Sequence, residues 1–260
     1  MIDFHNHILP DIDDGAKSLE ISLSMLKCAY NQGITDVVNT VHFQHPKVEG
    51  KDISFDSVKK AIDELQKELY NINLPIKLHF GAEVLFQPNL LEVKKNPLVN
   101  YGHGKYILVE FFTHYLPNNH RQVLFDLKIS GTTPIIAHPE RYRAVQNNFN
   151  IIKEWLDSGC IIQVSAGSLL GRMGKVIEKT ALKIINNNFC QILGSDAHND
   201  KNRNFMLKEA FDIAEGIIGQ SARKLVYDNP YSVLKGEDID LNITKNQGNE
   251  KSLFWKSLKW

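Results

Sequence analysis

The sequence predicts a single α/β domain whose parallel strands form a closed or nearly closed barrel. Short apolar runs rich in β-branched residues recur along the chain, and segments of helical length separate them. No repeat or long linker divides the 260 residues. Because strand alternating with helix gives parallel pairing through right-handed crossovers, a barrel is favoured. An open, doubly wound sheet remains the alternative.

Seven runs have the length and composition of strands that are buried on both faces. They cover residues 2–5, 35–41, 76–83, 106–110, 133–138, 160–165 and 190–195. Several of the helical segments begin with a polar residue and end at Gly or Asn. These segments cover residues 18–33, 54–73, 118–131, 150–159 and 172–188. Two further helices are expected near 203–216 and 219–228, and the connection over 87–97 is short with weaker periodicity.

The chain becomes polar after Asp228 and ends in a basic, aromatic segment. We therefore predict a barrel domain over residues 1–235 and a polar C-terminal tail over residues 236–260. The tail is expected to be mobile, with a few aromatic side chains packed on the barrel. A partner-docking segment is the alternative interpretation of the tail.

The composition argues against several classes of partner. Thirty acidic and thirty basic side chains balance, so no net field attracts nucleic acid or an anionic membrane. No apolar run approaches the length of a membrane span, and Asp3 and His5 interrupt the N-terminus at once. Cys28, Cys160 and Cys190 are too few and too scattered for a disulfide framework. We expect no nucleic-acid partner, no membrane insertion and a location in the cytoplasm.

Residue types that bind divalent metals recur where the predicted strands end. His5 and His7 alternate along the first strand and so point to the same side, and Asp14 lies in the loop that follows. Ligand-type residues end or follow five later strands: His42, Glu83, Glu110, His138, and the pair Asp196 and His198. In a barrel these strand ends meet at one rim. A polar strand end with an Asp-rich turn explains the first segment alone, whereas a metal site explains them all.

These nine residues are five imidazoles and four carboxylates. One catalytic zinc takes about three protein ligands, so nine ligands suit two or three ions. Nitrogen and oxygen ligands without thiolate favour Mn, Fe or Zn over Ca or Mg. Three divalent ions outweigh the charge of four carboxylates, which favours a phosphate-like substrate.

Two arginines follow ligand-type residues closely. Arg141 comes after His138, and Arg203 comes after His198. Guanidinium groups bind phosphate oxygens in bidentate fashion. We therefore predict that Arg141 and Arg203 are catalytic residues that bind phosphate; solvated surface charges are the alternative.

Motifs for other chemistries are missing from the sequence. Ser168 lacks the glycine spacing of a nucleophile elbow, and no phosphate-binding loop of the GxxxxGK[ST] type occurs. No cysteine has an arginine six positions on, which argues against a cysteine-nucleophile phosphatase. The other histidines are expected to be surface or ordinary polar residues. They are His79, His103, His120 and, closer to the rim, His45 and His114.

The sequence resembles the polymerase-and-histidinol-phosphatase (PHP) superfamily. It is most similar to the manganese-dependent protein-tyrosine phosphatases of bacterial capsule and exopolysaccharide loci, the CpsB/YwqE type. Seven motifs carry the resemblance in order across residues 1–235: DFHNHILPDIDDGAKS, NTVH, GAE, LVEF, IAHPERY, QVSAGSLLG and GSDAHN. Relatives often have TPH after the second strand, where this chain has TVHFQHP, so the loop over 43–53 is expected to shape substrate access differently.

The resemblance implies a distorted, seven-stranded, TIM-like (β/α)7 PHP barrel that binds three divalent metal ions. Mn²⁺ is the expected metal, with Fe or Zn as alternatives. The implied ligand sets are His5, His7, Glu83 and Asp196; Glu83, Glu110 and His138; and Asp14, His42 and His198. Arg141 and Arg203 match the arginines that bind the substrate phosphate.

The implied activity is metal-dependent hydrolysis of phosphotyrosine. The expected substrate is a phosphotyrosine-containing protein, namely the tail of a tyrosine kinase that controls capsule or exopolysaccharide synthesis. One alternative is a PHP phosphatase or phosphodiesterase for a small phosphate ester such as histidinol phosphate. Another is a non-catalytic, metal-binding regulator of a kinase.

Overall fold

A computed structural model describes residues 1–239 of the protein. The predicted tail falls mostly on residues 240–260, which lie outside the described residues. Within residues 1–239 the chain forms nine strands, and each of the seven predicted runs contains at least one. They are β1 Ile2–Asn6, β2 Asp36–Asn39, β3 Val41–Phe43, β4 Lys77–His79, β5 Ala82–Leu85, β6 Tyr106–Glu110, β7 Thr133–Ala137, β8 Ile161–Ser165 and β9 Ile192–Gly194.

The strands pair in parallel and form two sheets, with strand orders β1-β2-β4 and β3-β5-β6-β7-β8-β9. Two predicted runs pass from one sheet to the other, because Thr40 separates β2 from β3 and residues 80–81 separate β4 from β5. The two sheets also adjoin where the Asp196 amide donates to the His5 carbonyl over 2.6 Å. The parallel α/β class is confirmed, whereas seven continuous strands are not observed, and the seven-strand count stays a prediction.

Six predicted helices are confirmed: α1 Leu19–Asn31, α2 Phe55–Asn71, α4 His120–Ile129, α6 Asn150–Asp157, α8 Lys175–Asn186 and α9 Leu207–Ile218. Ser18 and Ser54 begin α1 and α2, where each hydroxyl accepts a hydrogen bond from a main-chain amide. The described residues also form four shorter α-helices: α3 Leu90–Val93, α5 Arg143–Asn147, α7 Ala166–Leu169 and α10 Asn229–Lys235. None of the helices in residues 1–239 has both the length and the apolar character that crossing a membrane requires.

The segment after α9 differs from the prediction. Instead of one helix near 219–228, the chain forms a 3₁₀ turn at Gly219–Ser221 and a π-helical turn at Lys224–Asp228. Helical structure then continues through α10, past the point where the sequence becomes polar. The reason is tertiary, because Val233 of α10 is buried in the same cluster as Ile2 and Phe4 of β1.

Alternate residues along the strands divide between two hydrophobic clusters. Leu108 and Ile135 belong to a small cluster formed mainly by strand residues, whereas their neighbours Val109 and Ile136 belong to a large cluster shared with the helices. Both faces of the sheets are therefore buried, as expected for parallel strands covered by crossover helices. The carboxyl ends of the strands remain as the edge at which polar side chains meet.

Candidate metal centre

The carboxyl ends of the strands gather all nine predicted ligands. Glu110 ends β6, His138 follows β7, and Asp196 follows β9, so these side chains reach the same edge of the sheet. The other six are placed with them by β1, β3, β5 and the loops after β1 and β9. Eight of the nine are buried, and only the Asp14 side chain is partly exposed, at 34%.

The ligand atoms fall into overlapping groups. Among the described residues, four groups of side chains place such atoms within 4.8 Å of one another. They are His7, Asp14, His42 and His198; His5, His7 and Asp196; His5, Glu83 and His138; and His42, His45 and Glu110. All nine predicted residues occur in these groups, and His45 is an addition. The resemblance places Glu110 with Glu83 and His138. In the structure its Oε1 atom lies 3.0 Å from Nδ1 of His42.

Glu83 lies at the centre of the groups. Its Oε2 atom is 3.3 Å from His5 Nε2, 3.5 Å from His7 Nε2 and 3.2 Å from His42 Nδ1. Its Oε1 atom is 2.8 Å from His138 Nε2. Burial opposes ionisation of Glu83, but the neighbouring imidazoles outweigh it and hold the pKa of this carboxyl well below its usual range. Four imidazoles therefore approach one ionised, buried carboxylate.

Buried polar atoms without partners test whether the site suits metal ions. Of thirteen such side-chain atoms in residues 1–239, seven belong to predicted ligands. They are His5 Nε2, His7 Nε2, Asp14 Oδ1, His42 Nδ1, Glu110 Oε1, His138 Nδ1 and His198 Nε2. Because a buried polar atom without a partner is costly, their concentration at one edge indicates that a ligand satisfies them. Imidazole and carboxylate donors fit divalent Mn, Fe or Zn.

Three of the histidines are held by an acceptor at Nδ1, which leaves Nε2 facing the cluster. The acceptors are Gln163 Oε1 at 3.1 Å for His5, Asp13 Oδ2 at 2.7 Å for His7, and the Asp196 carbonyl at 3.0 Å for His198. This arrangement is typical of histidines that bind metals, because the second partner sets the tautomer and the ring orientation. Sequence reasoning did not assign a role to Asp13 or Gln163. A lone amide within the apolar run CIIQVS was the available signal for Gln163.

The histidines differ in their affinity for protons. Burial and the neighbouring His7 oppose protonation of His42, yet the nearby carboxylates of Asp14 and Glu110 outweigh them and raise its pKa to about 9. Burial and His7 lower the pKa of His198 to about 4, which leaves a neutral imidazole suited to binding metal. Since imidazole binds a metal ion in its neutral form, metal affinity is expected to fall as the pH decreases.

Arg141 and Arg203 lie beside the candidate ligands. Arg141 Nη1 is 2.5 Å from Asp196 Oδ2, and Arg203 Nη2 is 2.6 Å from the same atom. Arg141 Nη2 also donates to Ser165 Oγ over 2.7 Å, whereas Arg203 Nε is buried without a hydrogen-bond partner. Both side chains line a cavity of about 330 Å³ above the cluster. They are therefore not freely solvated surface charges.

Among the further residues that line this cavity, three have titratable side chains to which sequence reasoning gave no role there. Lys47 Nζ lies 2.9 Å from Asp14 Oδ2 and 2.8 Å from His42 Nε2. His45 stacks on His42 with ring centroids 4.7 Å apart, and His114 lines the cavity wall. Their predicted position near the rim is confirmed, whereas the expectation gave them no place in the cavity lining. Their proximity to the strand ends was the signal available in the sequence.

Fold and site together define a class, namely α/β proteins with a candidate metal centre at the carboxyl edge of parallel strands. Within that class the chain belongs to the CpsB/CapC family, described as capsular polysaccharide synthesis, whose family model matches residues 1–235.

Two proteins similar to this chain are both named tyrosine-protein phosphatases. Tyrosine-protein phosphatase YwqE of Bacillus subtilis (strain 168) is 32% identical over 240 residues, covering 92% of this chain and 93% of that protein. Tyrosine-protein phosphatase CpsB of Streptococcus pneumoniae is 31% identical over 249 residues, covering 92% of this chain and 100% of that protein. The identity is thus moderate but extends over nearly the whole chain.

Solved structures agree with the family assignment. A structure from work on YwqE and CpsB, described there as unique metal-dependent tyrosine phosphatases, superposes with a TM-score of 0.86 at 33% identity. The match covers 92% of this chain and 96% of that one. A histidinol phosphate phosphatase from Lactococcus lactis has a TM-score of 0.54 at 15% identity, covering 85% of this chain and 93% of that one. This second likeness is one of fold alone.

Proposed function

We propose that the protein is a metal-dependent tyrosine-protein phosphatase. The observation that carries the proposal is the set of unsatisfied imidazole and carboxylate atoms facing a cavity that two arginines also line. Metal ions and guanidinium groups together suit a phosphate ester, whose charge must be stabilised throughout hydrolysis. The names of the relatives at 31–32% identity support tyrosine phosphate as the substrate group.

For the metal site we propose three divalent ions held by the nine predicted residues. Mn²⁺ is the metal we favour, with Fe or Zn as alternatives, since the donors are nitrogen and oxygen without thiolate. Glu83 is the proposed bridging ligand because imidazoles approach both of its oxygens. Bound divalent ions supply Lewis acidity, lowering the pKa of a coordinated water and neutralising phosphate charge.

In the proposed reaction the residues of this chain bind and orient the phosphate. Arg141 and Arg203 hold its non-bridging oxygens, with Arg203 Nε as an unused donor. Water attacks phosphorus, the bond from phosphorus to the tyrosine oxygen breaks, and inorganic phosphate and tyrosine are released. A thiolate nucleophile is not required. Burial raises the pKa of the Cys160 and Cys190 thiols to about 12, and no cysteine is among the cavity residues described above.

We further propose that the substrate is the phosphorylated tail of a tyrosine kinase of polysaccharide synthesis. The family description, capsular polysaccharide synthesis, supports this partner. For the fold, we propose that the two sheets form one distorted barrel of seven strands, in which β2 with β3 and β4 with β5 each count once. The barrel domain would then cover residues 1–235, the range that the family model matches.

The proposed activity can be tested with three substrates and one chelator. Manganese-loaded protein should hydrolyse a phosphotyrosine peptide faster than the matched phosphoserine peptide or histidinol phosphate, because a phenolate leaves more readily than an alkoxide. Chelation should abolish turnover, and added Mn²⁺ should restore it. A preference for histidinol phosphate would instead favour a small-ester phosphatase. Absence of turnover with every metal and substrate would leave only a non-catalytic regulator.

The proposed metal content has its own measurement. Elemental analysis of purified protein should find between two and three equivalents of transition metal, and His7→Ala should lower that content together with activity. His103→Asn is the matched control, because His103 is an exposed turn residue whose positive φ asparagine tolerates. Fully active protein with one equivalent or none would contradict the three-ion assignment.

A further inference from the structure

Most of the residues that line the cavity above the candidate metal centre are polar or charged. Its basic and acidic lining includes Lys47, Arg141, Arg203, Glu110 and Asp196. Two phenylalanines also line it, and they differ in accessibility: Phe111 is 2% exposed, whereas Phe112 is 38% exposed. Of the two phenylalanines, Phe112 is therefore the one that is accessible from this cavity.

Phe112 is part of a row of four rings, His42, His45, Phe112 and His114, which we call the aromatic row. The ring centroid of Phe112 lies 5.8 Å from those of both His45 and His114, with interplanar angles of 53° and 28°. His45 in turn stacks on His42, one of the predicted ligands. The aromatic row thus connects the candidate ligands with the outer part of the cavity, and Phe112 has a neighbouring ring on each side.

A second opening adjoins the cavity at the same residues. A groove of about 790 Å³ is lined by Phe43, Val48, Ile53 and Leu85, and it shares His45 and Phe112 with the cavity. A side chain that enters the cavity past Phe112 can therefore belong to a polypeptide whose main chain continues along this groove. Two openings that meet at one exposed aromatic ring suit a large aromatic side chain better than a small ester.

We propose that Phe112 is a specificity-determining residue that stacks on the phenyl ring of phosphotyrosine. This inference rests on the proposed function and adds how the aryl group is selected. Aromatic rings attract one another in offset or edge-to-face arrangements beyond the effect of area burial. Phosphoserine has no ring, so it gains nothing from Phe112.

Binding of two phosphonates tests the proposal without relying on turnover. Calorimetry of manganese-loaded protein should show that phenylphosphonate binds more tightly than methylphosphonate. Phe112→Ala should reduce that ratio of affinities by about 5- to 30-fold, with Phe112→Leu intermediate because it keeps apolar area without a ring. Tyr115→Ala is the matched control, since Tyr115 is 59% exposed in the same loop but is not among the cavity residues.

Phe112→Ala with an unchanged ratio would overturn the proposal. An equal loss of affinity for both phosphonates counts as this outcome, because it leaves the ratio unchanged and the effect would then concern the phosphate site. The proposed function fails separately, if wild-type protein with manganese does not hydrolyse phosphotyrosine peptides. The phosphonate ratio still reports on Phe112 in that case.

Discussion

The guanidinium groups of Arg141 and Arg203 converge on a single atom, Oδ2 of Asp196, at 2.5 Å and 2.6 Å. The other oxygen of the same carboxylate, Oδ1, lies 3.6 Å from His5 Nε2 and from His7 Nε2. Burial opposes ionisation of Asp196, but the two arginines outweigh it and hold its pKa well below the usual range. The Asp196 carboxylate therefore lies between the arginines and the candidate metal site, with Oδ2 facing the arginines and Oδ1 facing the histidines.

Replacing either arginine should impair catalysis while leaving metal in place. Arg141→Ala and Arg203→Ala each remove a proposed charge-assisted contact to phosphate, and such contacts are worth about 2–4 kcal/mol when directed at developing charge. We expect kcat/KM to fall by roughly 30- to 1,000-fold. Metal content should stay near wild type, because Oδ1 of Asp196 still faces the histidines.

Lysine variants and a control variant make that prediction specific to the two guanidinium groups. Lysine at either position should restore activity only in part, because a point charge does not reproduce the planar fork of arginine. Arg223→Ala is the control, since Arg223 is exposed and lies outside the cavity lining. Near wild-type kcat/KM in both alanine variants would show that the metal ions alone handle the phosphate.

Asp13 should act on metal affinity through His7. Asp13→Asn replaces the carboxylate 2.7 Å from His7 Nδ1 with a weaker acceptor, and losses of such partners typically cost about 10- to 100-fold in metal affinity. Competition with a chelator measures this directly. Asp11→Asn is the control, because the Asp11 side chain is 82% exposed. An Asp13→Asn variant with unchanged affinity would show that His7 is oriented without its carboxylate.

His120 should make stability depend on pH away from the metal site. Its Nδ1 atom accepts a hydrogen bond from Trp155 Nε1 at 3.0 Å, and burial together with Arg121 lowers its pKa to about 4. The unfolded chain, with an ordinary pKa near 6.5, binds more protons between these values. The stability contributed by neutral His120 is therefore complete above pH 6.5 and is lost as the pH falls toward 4.

Urea unfolding of metal-free protein at several pH values measures this effect. His120→Gln keeps an acceptor for Trp155 but does not titrate, so its stability should fall less between pH 6.5 and 4, by about 1–2 kcal/mol. Comparing the two proteins removes the titration of the other histidines. Parallel pH profiles would contradict the assignment.

Two glycines should respond to alanine in opposite directions. A Cβ atom on Gly15 would lie 2.0 Å from the His7 carbonyl oxygen, so Gly15→Ala should destabilise the protein by about 1–3 kcal/mol or more. Gly216 is exposed in α9 with no atom within 4 Å of an added Cβ. Gly216→Ala should stabilise the protein by about 0.5–1 kcal/mol, since alanine favours helix. Thermal or urea unfolding of metal-free variants decides both.

The placement of the candidate ligands was predictable because it depends on local pattern. Apolar, β-branched runs locate the strands, and their parallel direction brings residues such as Glu110 and Asp196 to one edge. The same reasoning did not predict α10, which follows the point at Asp228 where the sequence becomes polar. Burial of Val233 against β1 stabilises that helix, and no local pattern reports such a contact.

Contacts between distant residues decided the rest of the site. Lys47 beside Asp14, Asp13 on His7, and both arginines on Asp196 depend on how loops pack over the strand ends. The chain crosses from one sheet to the other at Thr40 and at residues 80–81. These crossings likewise follow from packing.

The sequence by itself determined the α/β class, the order of strands and helices, and the residue types that reach the metal site. Only the tertiary structure decided which oxygen of Asp196 the arginines contact, which nitrogen of His7 is free, and that Phe112 lines the cavity. The physical reason is the distance along the chain over which each effect acts. Periodicity expresses the preference of a short segment for one buried face, whereas side-chain contacts depend on the simultaneous packing of many segments.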